Sequence, residues 1–140
     1  MAQGMSDLAA KRAAMLAAVQ AAGDLILQMQ AEGLKNVRGK SNEIDLVTEA
    51  DVAAEQAIRT ALAARYPGIG FWGEESNQPP AEAAFWVGDP IDGTINFANG
   101  LPYCAVNIAL QEEGQVVLGV TLELPARHLY WAERGRGAYL

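Results

Sequence analysis

The segment WVGDPIDGTINF at residues 86–97 constrains this chain more than any other stretch. An apolar strand runs directly into Asp89 and Asp92. Two carboxylates this close together at the end of a buried strand repel each other unless a cation lies between them, and carboxylate oxygens suit hard cations such as Mg²⁺. Gly93 and Thr94 follow, with backbone N–H groups and a hydroxyl that suit a phosphate oxygen. The segment therefore predicts a metal site beside a phosphate site.

The hydrophobic periodicity predicts two helices followed by strands. Apolar residues recur at helical spacing over about residues 5–34, and again from Thr48 to just before Pro67. Runs of β-branched and apolar residues predict strands at residues 69–72, 85–88, 103–110, 116–124, 129–132 and 138–140. We therefore expect an α+β fold, with two long helices packed on an antiparallel sheet.

Composition excludes several classes of protein. The 140 residues allow one modest domain, and 17 acidic against 10 basic residues argue against a nucleic-acid-binding surface. No segment approaches the roughly 18 apolar residues of a membrane span. The single cysteine, Cys104, cannot form an internal disulfide, which fits the reducing cytoplasm. Its apolar neighbours predict a place in the core.

A second acidic cluster, Glu74 and Glu75, follows a different short strand. An exposed acidic loop is the more common explanation of such a pair taken alone, just as an Asx turn would explain Asp89 and Asp92. If the two strands are neighbours, however, both clusters lie together. Three or more converging carboxylates can hold two Mg²⁺ ions about 3.5–4 Å apart.

Other residues have simpler explanations when only their spacing is considered. The pattern Thr48-Glu49-Ala50-Asp51 matches a helix start, which predicts that Asp51 caps the second helix. His128 is the only histidine and lies in a predicted hairpin turn, which favours a surface role. One histidine and one cysteine argue against a zinc cluster, and no Gly-x-Ser-x-Gly motif is present. Metal-activated water remains as the economical route to catalysis.

Three motifs resemble those of one known family. DPIDGTINF at residues 89–97 resembles the signature of the inositol monophosphatase family of Mg²⁺-dependent, lithium-sensitive phosphatases. DLVTEAD at residues 45–51 and GEES at residues 73–76 resemble two further motifs of that family, in the right order. The resemblance extends over about residues 5–140. It implies the first half of a layered α/β/α/β sandwich, the sugar-phosphatase fold.

The resemblance also implies a set of metal ligands. The family positions that match Glu74, Asp89 and Asp92 bind the metals through their carboxylates. The position that matches Ile91 binds through its backbone carbonyl. Glu75 resembles a position that reaches a weaker, water-mediated metal. Mg²⁺ is therefore the expected cofactor.

Roles in catalysis and substrate binding are implied in the same way. Thr94 and Asp51 match the residues that orient or activate the attacking water, a different role from the cap that spacing alone predicts for Asp51. Lys40 resembles a basic residue near the site. The residues expected to contact the substrate phosphate are Ile91, Asp92, Gly93 and Thr94.

The expected function is Mg²⁺-dependent hydrolysis of a small phosphate monoester, of the inositol-1-monophosphatase type, by water activated between two metals. The alternatives are the same chemistry on a 3′-phosphonucleotide, fructose bisphosphate or histidinol phosphate, and a truncated, non-catalytic binding module. Residues 1–140 are expected to form the N-terminal metal-binding portion, because the family's second half, with another metal-binding Asp, has no match here. We further expect a homodimer in the cytoplasm, with no nucleic-acid or membrane partner.

Overall fold

Two helices lie on one face of a six-stranded sheet in the computed structural model, which describes residues 2–36, 42–73, 78–92 and 104–140. Both helices precede all of the strands, as the periodicity predicts. The elements in chain order are α1 (Ala2–Asn36), α2 (Asn42–Arg65), β1 (Gly70–Trp72), β2 (Ala84–Asp92), β3 (Cys104–Glu112), β4 (Gln115–Leu124), β5 (His128–Glu133) and β6 (Gly137–Tyr139).

The strands are arranged in the sheet in the order of the sequence, and every neighbouring pair from β2 to β6 is antiparallel. The predicted antiparallel sheet needs one correction, because β1 pairs with β2 in parallel. Residues 73–83 separate these two strands. That connection is too long for a tight hairpin, and it returns the chain to the end of the sheet where β1 begins. The carboxyl ends of β1 and β2 consequently lie at the same edge.

The hydrophobic core lies between the helices and the sheet. Along β3 the buried side chains alternate with half-buried ones, so that one face of the strand packs under the helices. Cys104 belongs to this buried row and is 7% exposed, which confirms its predicted place in the core. Within the described residues, neither helix has a stretch long and apolar enough to span a membrane.

Helix α2 begins at Asn42, earlier than the sequence predicts. Thr48 therefore lies inside the helix, and Asp51 lies more than two turns after its first residue. At that depth the backbone N–H groups already bond within the helix and need no capping side chain. The prediction that Asp51 caps α2 is wrong.

Strand β2 also extends beyond its predicted end. The sequence places a turn directly after Gly88, whereas the structure continues the strand to Asp92. The pairing with β3 shifts register between Asp89 and Asp92, which is the mark of a bulge or irregularity. This irregular segment contains the two aspartates of the signature.

His128 is the first residue of β5 and has an exposed side chain. Its Nδ1 lies 2.9 Å from Oε1 of Glu123, its cross-strand partner. In the same turn region, Arg127 forms an ion pair with Asp24 of α1. The predicted surface role of His128 is confirmed.

Helix α2 offers a matched test of this core. Ile58 is completely buried, whereas Val52 on the same helix is 60% exposed. We expect Ile58→Ala to lower the free energy of unfolding by about 2–5 kcal/mol, because it leaves a cavity against the sheet. Val52→Ala should change it by no more than about 0.5 kcal/mol. Urea denaturation followed by circular dichroism measures both, and equal losses would contradict the assignment of this helix face.

Candidate active site

The parallel register of β1 and β2 creates a cleft at their carboxyl ends. Trp72 pairs with Val87, so the next residues along the two strands are Gly73 and Gly88. These four residues line a cavity of about 200 Å³. Both glycines are buried. Asp89 follows Gly88 directly, which places this aspartate at the edge of the cleft.

Helix α2 runs alongside these strands in the opposite direction. Near its end, the Tyr66 ring meets the ring of Trp86 edge-on, with 6.0 Å between the centroids. Earlier in the helix, the side chain of Glu55 lies against Gly73. Moving backwards along α2 therefore means moving forwards along β1 and β2. Earlier residues of α2 therefore lie nearer to the acidic edge, the edge of the sheet at which β1 and β2 end and Asp89 lies.

Asp51 lies one helical turn beyond Glu55 in that direction. Four residues of helix cover about 6 Å, the distance that about two residues of a strand cover. Since Glu55 contacts Gly73, we expect Asp51 to lie nearer than Glu55 to the edge of the sheet at which Asp89 lies. The fold thus directs both residues, which the sequence separates widely, towards the same edge.

Both of these carboxylates are shielded from water. The Oδ1 atoms of Asp51 and Asp89 each expose less than 1 Å² of surface, and both side chains are half-buried as a whole. Removing a carboxylate oxygen from water is costly unless hydrogen bonds or a positive charge replace the lost hydration. Each carboxylate at this edge therefore needs hydrogen bonds or a positive charge around it.

A hydrogen bond lies beside Asp89 on the neighbouring strand. The register pairs Asp89 with Asn107, whose Oδ1 accepts a hydrogen bond of 2.6 Å from the hydroxyl of Thr121. Because the carbonyl oxygen of Asn107 accepts this bond, its amide hydrogens remain as donors next to Asp89. The sequence analysis does not identify Asn107, since its alternating strand pattern alone gives no sign of a partner.

The structure describes only some of the remaining predicted site residues. Ile91 is 2% exposed and belongs to the hydrophobic core, so its side chain anchors the end of β2. Asp92 is placed by its backbone, opposite Ala105, and its side chain lies outside the described part. The predicted residues that lie wholly outside the described residues are Lys40, Glu74, Glu75, Gly93 and Thr94. Among the described residues, no cluster of three or more potential metal-ligating side chains occurs.

The described donors nevertheless fit a hard cation. Each is an oxygen, from a carboxylate or a backbone carbonyl, and Mg²⁺ prefers oxygen to nitrogen and sulfur. The single histidine pairs with Glu123 at the start of β5, three strands across the sheet from β2. The donor set is therefore compatible with Mg²⁺ and unsuited to zinc.

Local sequence patterns do not identify Glu55 and Arg59 as neighbours of this site. These two residues form an ion pair within α2, with 3.2 Å between Nε and Oε2. Glu55 follows Asp51 by one turn of the same helix, so helical spacing could have placed it near the site. Its contact with Gly73 joins distant parts of the chain, and no local pattern predicts that contact.

Comparisons with known proteins identify the same family that the sequence motifs resemble. The sequence model of the inositol monophosphatase family matches residues 7–140. An inositol-1-monophosphatase of Caulobacter vibrioides is 44% identical over 104 residues, which are 72% of this chain and 41% of that protein. A histidinol-phosphatase of Chlorobaculum parvum is 47% identical over 96 residues, which are 67% of this chain and 37% of that protein.

A comparison of three-dimensional structures also finds similar proteins. The crystal structure of extragenic suppressor protein SuhB from Bartonella henselae superposes with a TM-score of 0.80 and 34% identity, over 93% of this chain and 50% of that one. This superposition confirms two helices packed on one sheet. In all three comparisons the chain spans half or less of the protein that it matches.

The close packing behind Asp89 is open to test at two glycines. A Cβ on Gly88 would lie 2.6 Å from Cζ of Phe71, whereas a Cβ on Gly119 would meet nothing within 4 Å. We expect Gly88→Ala to lower the free energy of unfolding by about 1–3 kcal/mol, because the Phe71 ring must move. Gly119→Ala should be neutral or slightly stabilising. Thermal unfolding compares the two, and a neutral Gly88→Ala would contradict the contact.

Proposed function

Because the chain belongs to the inositol monophosphatase family, we propose that its protein hydrolyses a small phosphate monoester with Mg²⁺ as cofactor. One observation carries the proposal. The parallel pairing of β1 with β2 carries both strands to one edge, where Gly73 precedes Glu74 and Gly88 precedes Asp89, and the direction of α2 supports a place for Asp51 at the same edge. Segments far apart in sequence thereby approach one edge of the sheet, which supports a shared metal site there.

The metal ligands in this proposal are the carboxylates of Glu74, Asp89 and Asp92 and the backbone carbonyl of Ile91. Glu75 acts through water at a weaker site. When bound, Mg²⁺ lowers the pKa of a water molecule and neutralises negative charge on the phosphoryl oxygens. The irregular register of β2 after Asp89 supports this assignment, because bulges re-aim side chains and carbonyls at functional sites.

The protein's own residues orient the reactants. Asp51 accepts a proton from the hydroxyl of Thr94, whose oxygen in turn accepts a proton from the attacking water. The shielding of Asp51 Oδ1 from solvent favours such a role, because a proton acceptor away from bulk water keeps a fixed geometry. Gly93 and Thr94 hold the phosphate through backbone N–H groups, together with Ile91 and Asp92.

The substrate that we propose first is an inositol monophosphate. The histidinol-phosphatase relative supports histidinol phosphate as a second candidate. Residues that select the alcohol portion are expected outside this segment, which spans 41% or less of these relatives. Release of inorganic phosphate from a panel containing both compounds distinguishes the two candidates, since the true substrate should have the higher kcat/KM.

Further parts of the proposal come from the same family membership. We propose that residues 1–140 are the N-terminal, metal-binding portion of the phosphatase, that lithium inhibits the enzyme, and that it works as a homodimer in the cytoplasm. Phosphate-release assays with added lithium and sedimentation analysis of the protein test the inhibition and the dimer.

Removal of a proposed metal ligand should abolish activity. We expect Asp92→Asn to eliminate Mg²⁺-dependent phosphate release by the full protein, because an amide is a neutral and weaker ligand for Mg²⁺. The matched control is Asp7→Asn on α1, since Asp7 is 54% exposed and pairs only across the helix surface with Lys11. Full activity in Asp92→Asn would refute the proposed metal site.

Asp51 should affect turnover more than metal binding. We expect Asp51→Asn to lower kcat by about 10²–10⁴-fold, because the amide cannot accept the proton. The concentration of Mg²⁺ at half-maximal activity should change much less. Steady-state kinetics over a range of Mg²⁺ concentrations separates the two effects. An unchanged kcat with weakened metal dependence would make Asp51 a metal ligand and contradict this assignment.

A further inference from the structure

The ion pair between Glu55 and Arg59 contacts the sheet as well as stabilising α2. Nε of Arg59 lies 3.2 Å from Oε2 of Glu55, and the Glu55 side chain is 19% exposed. The guanidinium group also lies over the ring of Phe71 in β1, 4.3 Å from the ring centroid. An exposed pair on one helix contributes little to stability. This pair differs because Arg59 contacts β1 and Glu55 contacts the residue that directly follows β1.

Glu55 packs directly against Gly73, the last described residue before Glu74. A Cβ built on Gly73 would lie 2.7 Å from Cδ of Glu55, closer than real Cβ atoms approach their neighbours. A side chain at position 73 would therefore require the Glu55 carboxylate, the far end of a flexible side chain, to move away. Gly73 is the residue type that this close approach allows.

Arg59 acts on the second acidic strand through Phe71. The Phe71 ring packs so tightly on Gly88 that a Cβ there would lie 2.6 Å from Cζ. Gly88 immediately precedes Asp89 in β2. The Glu55–Arg59 pair thus touches the residue before Glu74 directly, and the residue before Asp89 through one aromatic ring.

We infer that the Glu55–Arg59 pair is a positioning device for the proposed Mg²⁺ site: it fixes the paths of β1 and β2 where they lead into Glu74 and Asp89. The inference rests on the proposed function and adds a residue pair to it. Glu55 and Arg59 are positioning residues, because they act through Gly73, Phe71 and Gly88. Groups that orient metal ligands affect metal affinity by about 10–100-fold.

The direct test is Mg²⁺ binding to the full protein, measured by isothermal titration calorimetry without substrate. We expect Glu55→Ala to raise the Mg²⁺ dissociation constant by about 10-fold or more, with the fold confirmed by circular dichroism. Glu55→Gln should stay within about threefold of the wild type, because its amide oxygen fills the same space and accepts the same bond from Arg59. Equal losses in both variants would mean that the charge itself is required and would overturn a positioning role.

A matched control exists on the exposed side of the same helix. Gln56 and Thr60 form a side-chain hydrogen bond of 3.3 Å with the same spacing as Glu55 and Arg59. Gln56→Ala removes that bond without touching β1, and it should leave the dissociation constant within about twofold, as ordinary surface changes do. A Gln56→Ala effect as large as that of Glu55→Ala would show general helix destabilisation and overturn the inference.

A double-mutant cycle tests the contact with Gly73. Gly73→Ala should weaken Mg²⁺ binding in the wild type but much less in the Glu55→Ala background, where the obstructing carboxylate is gone. Independent effects would multiply, and that result would overturn the inference. If Glu55→Ala does not fold, Gly73→Ala is compared with Gly68→Ala, whose Cβ would meet nothing within 4 Å. Equal affinities of these two glycine variants would also overturn it.

Failure of the inference differs from failure of the proposed function. If the wild type binds Mg²⁺, Asp92→Asn does not, and Glu55→Ala binds normally, only the positioning role is refuted. If Asp92→Asn binds Mg²⁺ as tightly as the wild type, the proposed metal site is refuted, and the positioning role with it.

Discussion

The parallel pairing of β1 with β2 is the constraint on which the rest of the site depends. In an otherwise antiparallel sheet, neighbouring strands end at opposite edges, and carboxylates that follow them are kept apart. One parallel pair brings two strand ends to one edge. Gly73 and Gly88 leave a cleft there, and each directly precedes an acidic residue of the sequence. The direction of one short strand therefore determines where the acidic residues can meet.

Helix α2 supplies the other half of the arrangement. Its buried face, with Ile58 at its centre, belongs to the core. The same helix places Glu55 against Gly73 and Arg59 over Phe71, and its direction leads towards the edge of the sheet where we propose Asp51 to act. Because α2 runs in the opposite direction to the strands, four residues back along the helix cover about the same distance as two residues forward along a strand. Hydrophobic packing of α2 thus determines the position of Asp51 along the direction of the strands relative to Asp89.

Much of this could be predicted from local patterns. Periodicity predicts both helices and all six strands, and two apolar strands that each precede acidic residues predict that those residues meet. Local patterns fail where contacts are distant. The Thr48–Asp51 pattern resembles a helix start because its four residues carry no information about the turns before them. Glu55 and Arg59 resemble a surface ion pair, since only the folded chain shows Gly73 and Phe71 beneath them.

A crystal of the full protein soaked in Mn²⁺, as an anomalously scattering substitute for Mg²⁺, tests the central claim most directly. We predict an anomalous peak at the carboxyl edge of β1 and β2, in direct coordination with carboxylate oxygens of Asp89, Asp92 and Glu74 and with the carbonyl of Ile91. Carboxylates that point apart, with the metal bound elsewhere or not at all, would contradict the account.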